Sequence, residues 1–355
     1  MDSSGNEHMT LVNSNTQTTS ATGLEPLSQL VDSFGRIHES LRVSVTDACN
    51  IRCRYCMPEI VSGFLPQQRL LSFDSIVRIV SVLARSGIRK VRLTGGEPLM
   101  RPNLEQLVAR LASIASLEQI AITTNAMMLA DKVVALEKAG LTHINISLDT
   151  LREPAFQQIS RRDGLGQVLD GIDAAVSTRL KVRLNALLLR EINLQDCLPL
   201  VEFARARNLF IRFIEFMPLD ADRQWSQDQV VSGQELRSII ESHFGGLSLV
   251  PRRDPAQPSN DWTFADGQGG VGFIDPVSHP FCHACNRIRL TADGKLRNCL
   301  FGREEWDVKS ACDAGATDKQ IHDIAMNCIR KKYASHGISS SDFQQPERAM
   351  YQIGG

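Results

Sequence analysis

Cys49-Asn50-Ile51-Arg52-Cys53-Arg54-Tyr55-Cys56 sets three thiols in the spacing C-x3-C-x2-C, directly behind the alternating segment Leu41-Arg42-Val43-Ser44-Val45-Thr46. A strand that runs straight into such a stretch reads as a metal loop hung on a strand end. Thiolates this close converge on one soft centre, for which zinc and an iron-sulfur cluster are the candidates. A structural zinc site wants four closed ligands, yet His38 sits before the strand and His143 far along the chain. Three thiolates on a four-iron cube instead leave one iron open to a small molecule.

Outward from that loop, strand and helix patterns alternate. Ser72 is the N-cap of a helix over Phe73 to Arg85 closed by Gly87, and further helices are predicted over Asn103 to Ile114 and Asp131 to Ala139, the last closed by Gly140. Strands are predicted at Lys90 to Thr94, Gln119 to Thr123, His143 to Leu148, Lys181 to Leu187 and Phe210 to Phe216. With the strand at Leu41, six strands each followed by a helix argue a parallel α/β architecture, with no seventh or eighth unit before Pro251. Parallel strands buried on both faces should be nearly continuous in Val, Ile and Leu. These alternate instead: Arg42, Ser44 and Thr46; Lys90, Arg92 and Thr94; His143, Asn145 and Ser147; Lys181, Arg183 and Asn185. One face of the sheet is therefore polar and cationic, as expected of a partial barrel around a wet ligand site.

Residues 1 to about 33 are rich in Ser, Thr and Asn and are expected to be disordered. They carry no Lys or Arg and no apolar run, so no secretory or transit signal is read there, and the chain is expected to be cytoplasmic. The barrel is expected over 34–250 and a smaller segment over 251–355, joined by a linker or long loop between Pro251 and Gly270. Within the smaller segment, Gly272 to Asp275 and Ile288 to Thr291 are strand-like and a helix runs from about Asp318 to Lys332. With 39 basic and 40 acidic side chains there is no global field for nucleic acid or a membrane surface, so any anion site must be local. Nine cysteines, clustered rather than spread, suit metal ligation better than a disulfide framework.

Two more stretches carry chemistry. Thr94-Gly95-Gly96-Glu97-Pro98 ends the second strand; its glycines suit either a sharp turn or close approach of a ligand, and its carboxylate can receive an ammonium. Cys282-His283-Ala284-Cys285 with Cys299 offers a second set of three thiolates, and a zinc knuckle completed by His279 or His283 is an equal rival to a second cluster. Between them, Asn286-Arg287-Ile288-Arg289 puts two guanidinium groups on one strand face, where an anionic ligand such as phosphate is favoured.

The first cysteine loop, with an aromatic residue before its last cysteine, resembles the signature of radical S-adenosylmethionine (SAM) enzymes. Together with Gly-Gly-Glu-Pro, C-x2-C-x13-C and N-R-x-R, it resembles the GTP 3′,8-cyclase family of molybdenum cofactor biosynthesis, from about Phe34 to the terminal Gly354-Gly355. The resemblance implies a partial (β/α)6 TIM-like barrel and two [4Fe-4S] clusters, one on Cys49, Cys53 and Cys56 that cleaves SAM and one on Cys282, Cys285 and Cys299 that receives the guanine ring. It implies SAM contacts at Tyr55, Gly96, Glu97, Ser147 and Met217. It places GTP on Arg42, Arg92, Thr123, Arg183, Arg287, Ile288 and Arg289, with Arg287 and Arg289 counted in the catalytic set, and a double-glycine tail in the active site. A 5′-deoxyadenosyl radical would take hydrogen from the ribose C3′ of GTP, and C3′ would bond to guanine C8. A downstream pyranopterin monophosphate synthase and a homodimer are implied as partners, and neither nucleic acid nor membrane. Arg183 stands where the family has Lys and Ala126 where it has Gly. Cys197, Cys312 and Cys328 match no ligand position and are expected to be buried small hydrophobes. The rival activity is a radical SAM peptide maturase, which usually carries more auxiliary cysteines; the rival class is a non-enzymatic electron carrier, which would not need the polar barrel face.

Overall fold

The computed structural model describes residues 27–354. Six parallel strands follow one another in space as in sequence: β1 (Ser40–Ser44), β2 (Lys90–Thr94), β3 (Gln119–Thr124), β4 (His143–Ser147), β5 (Lys181–Leu187) and β6 (Phe210–Ile214). Between them lie α1 (Phe73–Arg85), α2 (Leu104–Ala112), α3 (Val133–Lys138), α4 (Glu153–Ser160), α5 (Leu165–Val176) and α6 (Cys197–Ala206). The Ser72 side chain accepts from the N–H of Ser75 and starts α1 as expected. Every second residue of β1 and β2, Leu41, Val43, Val91 and Leu93, is sealed against the helices. Their neighbours Arg42 and Arg92 turn inward, so strand alternation converts directly into a cationic lumen.

The sheet does not stop at six. After α7 (Gly233–Phe244) come β7 (Leu247–Leu249), β8 (Asn260–Phe264) and β9 (Gly270–Ile274), and then β10 (Arg287–Leu290), β11 (Lys295–Arg297) and β12 (Trp306–Asp307). β10 pairs parallel with β1 on one edge and β9 pairs parallel with β6 on the other, which gives a single 12-stranded sheet. The segment beyond Pro251 thus extends both edges of the barrel. The expected linker is also corrected, because β8 lies inside it. Its Asp261 is buried and forms an ion pair with Arg212 of β6 at 2.6 Å, a pairing invisible to local pattern. The chain ends in α8 (Val308–Asp313), α9 (Asp318–Arg330) and α10 (Met350–Ile353).

Expected disorder over the first 26 residues lies outside the described residues. Leu27 to Ser33 is anchored to the fold: Leu30 is fully buried, its N–H donates to Ser86 O, and Val31 bridges to Ile37. Cys197 and Cys328 are buried as expected, whereas Cys312 is half-buried beside its polar neighbours. No helix among the described residues is long and apolar enough to cross a membrane.

Candidate active site between two cysteine triads

The lumen is a cavity of about 460 Å³ that runs the length of the strands. Cys49, Cys53 and Cys56 follow the C-terminal end of β1, where the loops after barrel strands gather. Cys282 and Cys285 precede β10 and Cys299 follows the antiparallel β11, so the second triad lies at the opposite, N-terminal end. Within each triad the thiols feel one another's charge, yet no three His, Cys, Asp or Glu among the described residues are placed to hold a single metal ion. Three thiols gathered at each end are a soft donor set of the kind that a metal centre takes.

Between the triads, sheet register stacks guanidinium groups. Arg42 is opposite Arg289 on one side and Arg92 on the other, and Arg183 and Arg212 continue the wall from β5 and β6. Burial and these mutual charges pull the Arg42 and Arg92 pKa values down, Arg92 to about 10. Arg92 Nη1 donates to Thr123 Oγ1 at 3.3 Å, and Arg287 Nη2 donates to the Cys285 sulfur at 3.3 Å. Ile288 departs from expectation: its side chain is in the core at the register position of Leu41, not on the cavity wall.

At the other end the glycines of Gly-Gly-Glu-Pro serve the protein itself. A Cβ on Gly95 would sit 2.4 Å from Thr46 O, and one on Gly96 would sit 2.4 Å from Ala48 O. Residues 46–48, which lead into the cysteine loop, pass too close for any side chain there. Glu97 is almost fully buried and accepts from Leu99 N at 3.0 Å, Thr124 Oγ1 at 2.7 Å and Asn125 N at 2.8 Å. A carboxylate has about four acceptor positions, so one remains for a ligand cation. Burial raises its pKa to about 7 despite those donors. Tyr55 hydroxyl donates to Asp149 Oδ2 at 2.6 Å, while Ser147 and Met217 line the same end of the cavity. Ala126 takes φ 64°, a backbone state costly for a residue with a Cβ, which gives physical content to its standing where Gly is expected.

The C-terminal tail enters the lumen. Arg289 Nη1 donates to Gly354 O, and a Cβ on Gly354 would lie 2.6 Å from Thr94 Oγ1, so glycine is required there; Gly355 lies outside the described residues. Three residues without an assigned role join the wall: Arg212, Asn145 and Asn185, the last two with buried Oδ1 atoms lacking a partner. The same polar alternation marked both Asn residues, but nothing local singled them out from strand filler. Tyr351, packed with Met57 beside Cys49 and Cys56, had no local signal.

Comparison with known proteins accords with this geometry. The Radical SAM superfamily model matches residues 43–204 and the Molybdenum Cofactor Synthesis C model matches 209–338. The chain is 46% identical to a GTP 3′,8-cyclase of Rhodopirellula baltica over 92% of either chain. It is 40% identical to a GTP 3′,8-cyclase of Rhodococcus opacus over 95% of this chain and 96% of that one. Among solved structures, Streptococcus suis SuiB bound to precursor peptide SuiA shares the fold at a TM-score of 0.60 and 12% identity, covering 90% of this chain and 77% of that one.

Proposed function

The chain belongs to the radical SAM superfamily and, within it, to the GTP 3′,8-cyclase family, and from that premise we propose that its barrel converts GTP to (8S)-3′,8-cyclo-7,8-dihydroguanosine 5′-triphosphate, the first step of molybdenum cofactor biosynthesis. The observation that carries the reading is the row Arg289, Arg42, Arg92: three guanidinium groups in register along one cavity wall, the first buried and the other two half-buried. Unpaired like charges at this spacing repel, and a triphosphate is the polyanion that would relieve them through several charge-assisted hydrogen bonds. Arg183, Thr123 and Arg287 extend that grip, and the Ile288 backbone belongs to the strand that carries it.

Cys49, Cys53 and Cys56 would hold one [4Fe-4S] cluster, and Cys282, Cys285 and Cys299 a second. Bound at the first triad, a reduced cluster supplies the electron that cleaves SAM reductively. Around it, Glu97 keeps one acceptor position for the SAM ammonium, and the Gly96 backbone, Ser147, Met217 and Tyr55 wall the cofactor in. Asp149 holds the Tyr55 ring by its hydroxyl. Gly354 takes part of Arg289's donor capacity and so places that guanidinium. The Met350 to Tyr351 turn covers the first triad against bulk water, which a radical reaction requires. We assign 34–250 to the SAM-cleaving module and 251–355 to the module of the second cluster and the Gly354-Gly355 tail. The reading further includes passage of the product to a pyranopterin monophosphate synthase and pairing with a second copy of the chain, both supported by likeness to the family alone.

The test is anaerobic. The reconstituted, dithionite-reduced protein is given SAM with GTP, with ATP or without nucleotide, and 5′-deoxyadenosine is quantified. Cleavage stimulated by GTP alone, together with a cyclised nucleotide, is expected. Cleavage indifferent to nucleotide would overturn the substrate assignment.

A further inference from the structure

α9 ends at Arg330 and α10 begins at Met350, with no helix or strand between them. No regular element therefore carries the C-terminal tail into the lumen, and its register has to come from side chains. Arg348, just ahead of α10, makes the contacts that can set it. Its Nη1 and Nη2 donate to Asp293 Oδ1 and Oδ2 at 3.0 and 2.9 Å, a forked pair. Nη2 also donates to Glu305 Oε2 at 2.8 Å, and Nε lies 2.8 Å from Glu305 Oε1. A lone exposed ion pair would contribute little. Here one guanidinium engages two carboxylates through both of its edges, and the Arg348, Asp293 and Glu305 side chains are only 24%, 12% and 22% exposed, so the geometry is specified and water competes weakly.

Both carboxylates are themselves held. Asp293 sits in the turn between β10 and β11, where Thr291 Oγ1 donates to its Oδ1 at 2.6 Å. Glu305 accepts from Arg297 of β11, a residue only 2% exposed. Arg348 is thus fastened to the hairpin whose first strand carries Arg287 and Arg289. From that root, Met350 N donates to Leu219 O at 3.2 Å and Gly354 N to Met350 O at 3.1 Å, while Ala349, Tyr351 and Ile353 are buried on the way. At its far end the tail meets the same hairpin again, where Arg289 donates to Gly354 O. One hairpin therefore holds the tail at both ends.

We propose that Arg348 is the positioning residue of the C-terminal tail: its clasp on Asp293 and Glu305 sets where the tail enters, so that Gly354 reaches Arg289 and Tyr351 covers the first triad. A single helical turn such as α10 is too short to hold itself. What keeps it in place is a fixed root, which raises the effective concentration of Gly354 at Arg289. Without the clasp, Gly354 leaves Arg289 for part of the time and the cover over the first triad opens with it. Arg348 does not line the cavity, so its effect passes through the tail.

The consequence for catalysis rests on the cyclase reading, the consequence for the tail does not, and the experiment keeps the two apart. Hydrogen exchange is followed by mass spectrometry on the full chain, as wild type and as Arg348→Gln. The peptide beyond Arg348 is expected to exchange roughly 10-fold faster or more in the variant, while peptides of β10 and β11 are unchanged. An unchanged tail would overturn the clasp, and so would a hairpin that loosens in step with it, since Arg348 would then only be stabilising the hairpin. Should Arg348→Gln fail to fold, Asp293→Asn decides: a smaller rise confined to the tail is expected, and no rise overturns the proposal. The reconstituted, reduced proteins are then compared for 5′-deoxyadenosine formed per cyclised nucleotide, a ratio expected to rise roughly 3-fold or more when the tail no longer shields the radical chemistry. An unchanged ratio with a loosened tail would overturn the positioning role in the reaction. A wild type that forms no cyclised nucleotide would sink the cyclase reading, and the exchange result would still decide the clasp.

Discussion

The two cysteine triads offer the same three sulfurs, and they differ most in the charges that act on one of them. At the first, burial pushes the Cys49 thiol up to about 11, with Glu97 adding to the effect, and burial likewise pushes up Cys53, with Asp149 adding, and Cys56, with Cys49 adding. At the second, burial again opposes ionisation, but the charges of Arg287 and Lys332 outweigh it and hold Cys285 down at about 5. Ligand type is thus a poor guide to what a thiolate site does; the neighbouring charges differentiate it. One end of the barrel is built around carboxylates and apolar cover, suited to a cationic cofactor. The other is built around guanidinium and ammonium groups, suited to an anionic substrate.

Removing a ligand is the harshest way to break the comparison. Cys299→Ala is expected to halve the iron content, keep SAM cleavage and abolish the cyclised product, all read in one anaerobic assay; full product formation would mean the second triad is dispensable. Next in size, Glu97→Gln is expected to weaken SAM binding by roughly 10- to 100-fold, the scale of a lost charged hydrogen bond. The wild type carries its own version of that test. Burial holds free Glu97 up at about 7 and SAM's ammonium needs the carboxylate, so SAM affinity should fall as pH drops below about 7. A pH-independent dissociation constant between pH 6 and 8 would remove Glu97 from that role. On the opposite end, Arg289→Ala should weaken GTP binding by about 10-fold or more with both clusters retained, as measured by equilibrium dialysis.

His38 sharpens the contrast through stability. Burial, reinforced by Lys332, depresses its folded pKa to about 3 from the ordinary 6.5. Below pH 6.5 the unfolded chain therefore binds a proton that the folded chain refuses, and stability falls as pH falls. The expected loss from this residue is about 2 kcal/mol between pH 8 and pH 5, and urea unfolding of His38→Gln should lack that part of the slope. The smallest effect is behind the first triad. Ala126→Gly relieves a left-handed backbone state at the cost of a buried methyl, so a gain of at most about 1 kcal/mol is expected in the same unfolding experiment. A loss of stability would show that the methyl matters more than the strain.

Much of the site could be read in the chain because its signals are local. The cysteine spacings, the Gly-Gly-Glu-Pro turn and the alternation of Arg42, Arg92 and Arg183 each span a few residues, and a strand's two-residue period says which side chains share a face. The cavity collects Arg42, Arg92, Thr123, Arg183, Arg287, Arg289, Tyr55, Gly96, Glu97, Ser147 and Met217. Ile288 sends its side chain to the core because its neighbours Arg287 and Arg289 face the cavity, which leaves only its backbone for the GTP contact expected of it. Arg212 escaped because it stands in an apolar strand, Phe210–Ile214, with a partner 49 residues away. Gly95 and Gly96 suited either a sharp turn or a ligand's approach, and the crowding that excludes a side chain at both comes from residues 46–48, which no local pattern reveals.

By itself the sequence determined the parallel α/β barrel core, the cationic face, two sulfur triads and the family, because each is written in short-range period or spacing. Only the tertiary structure decided that the last hundred residues complete both edges of the sheet and put the triads at opposite ends of one cavity. It alone threaded Gly354 to Arg289 and brought Arg36, His38 and Lys332 together across nearly 300 residues. Those contacts come from long-range strand pairing and buried charge satisfaction, which are properties of the folded whole and leave no periodic trace in the chain.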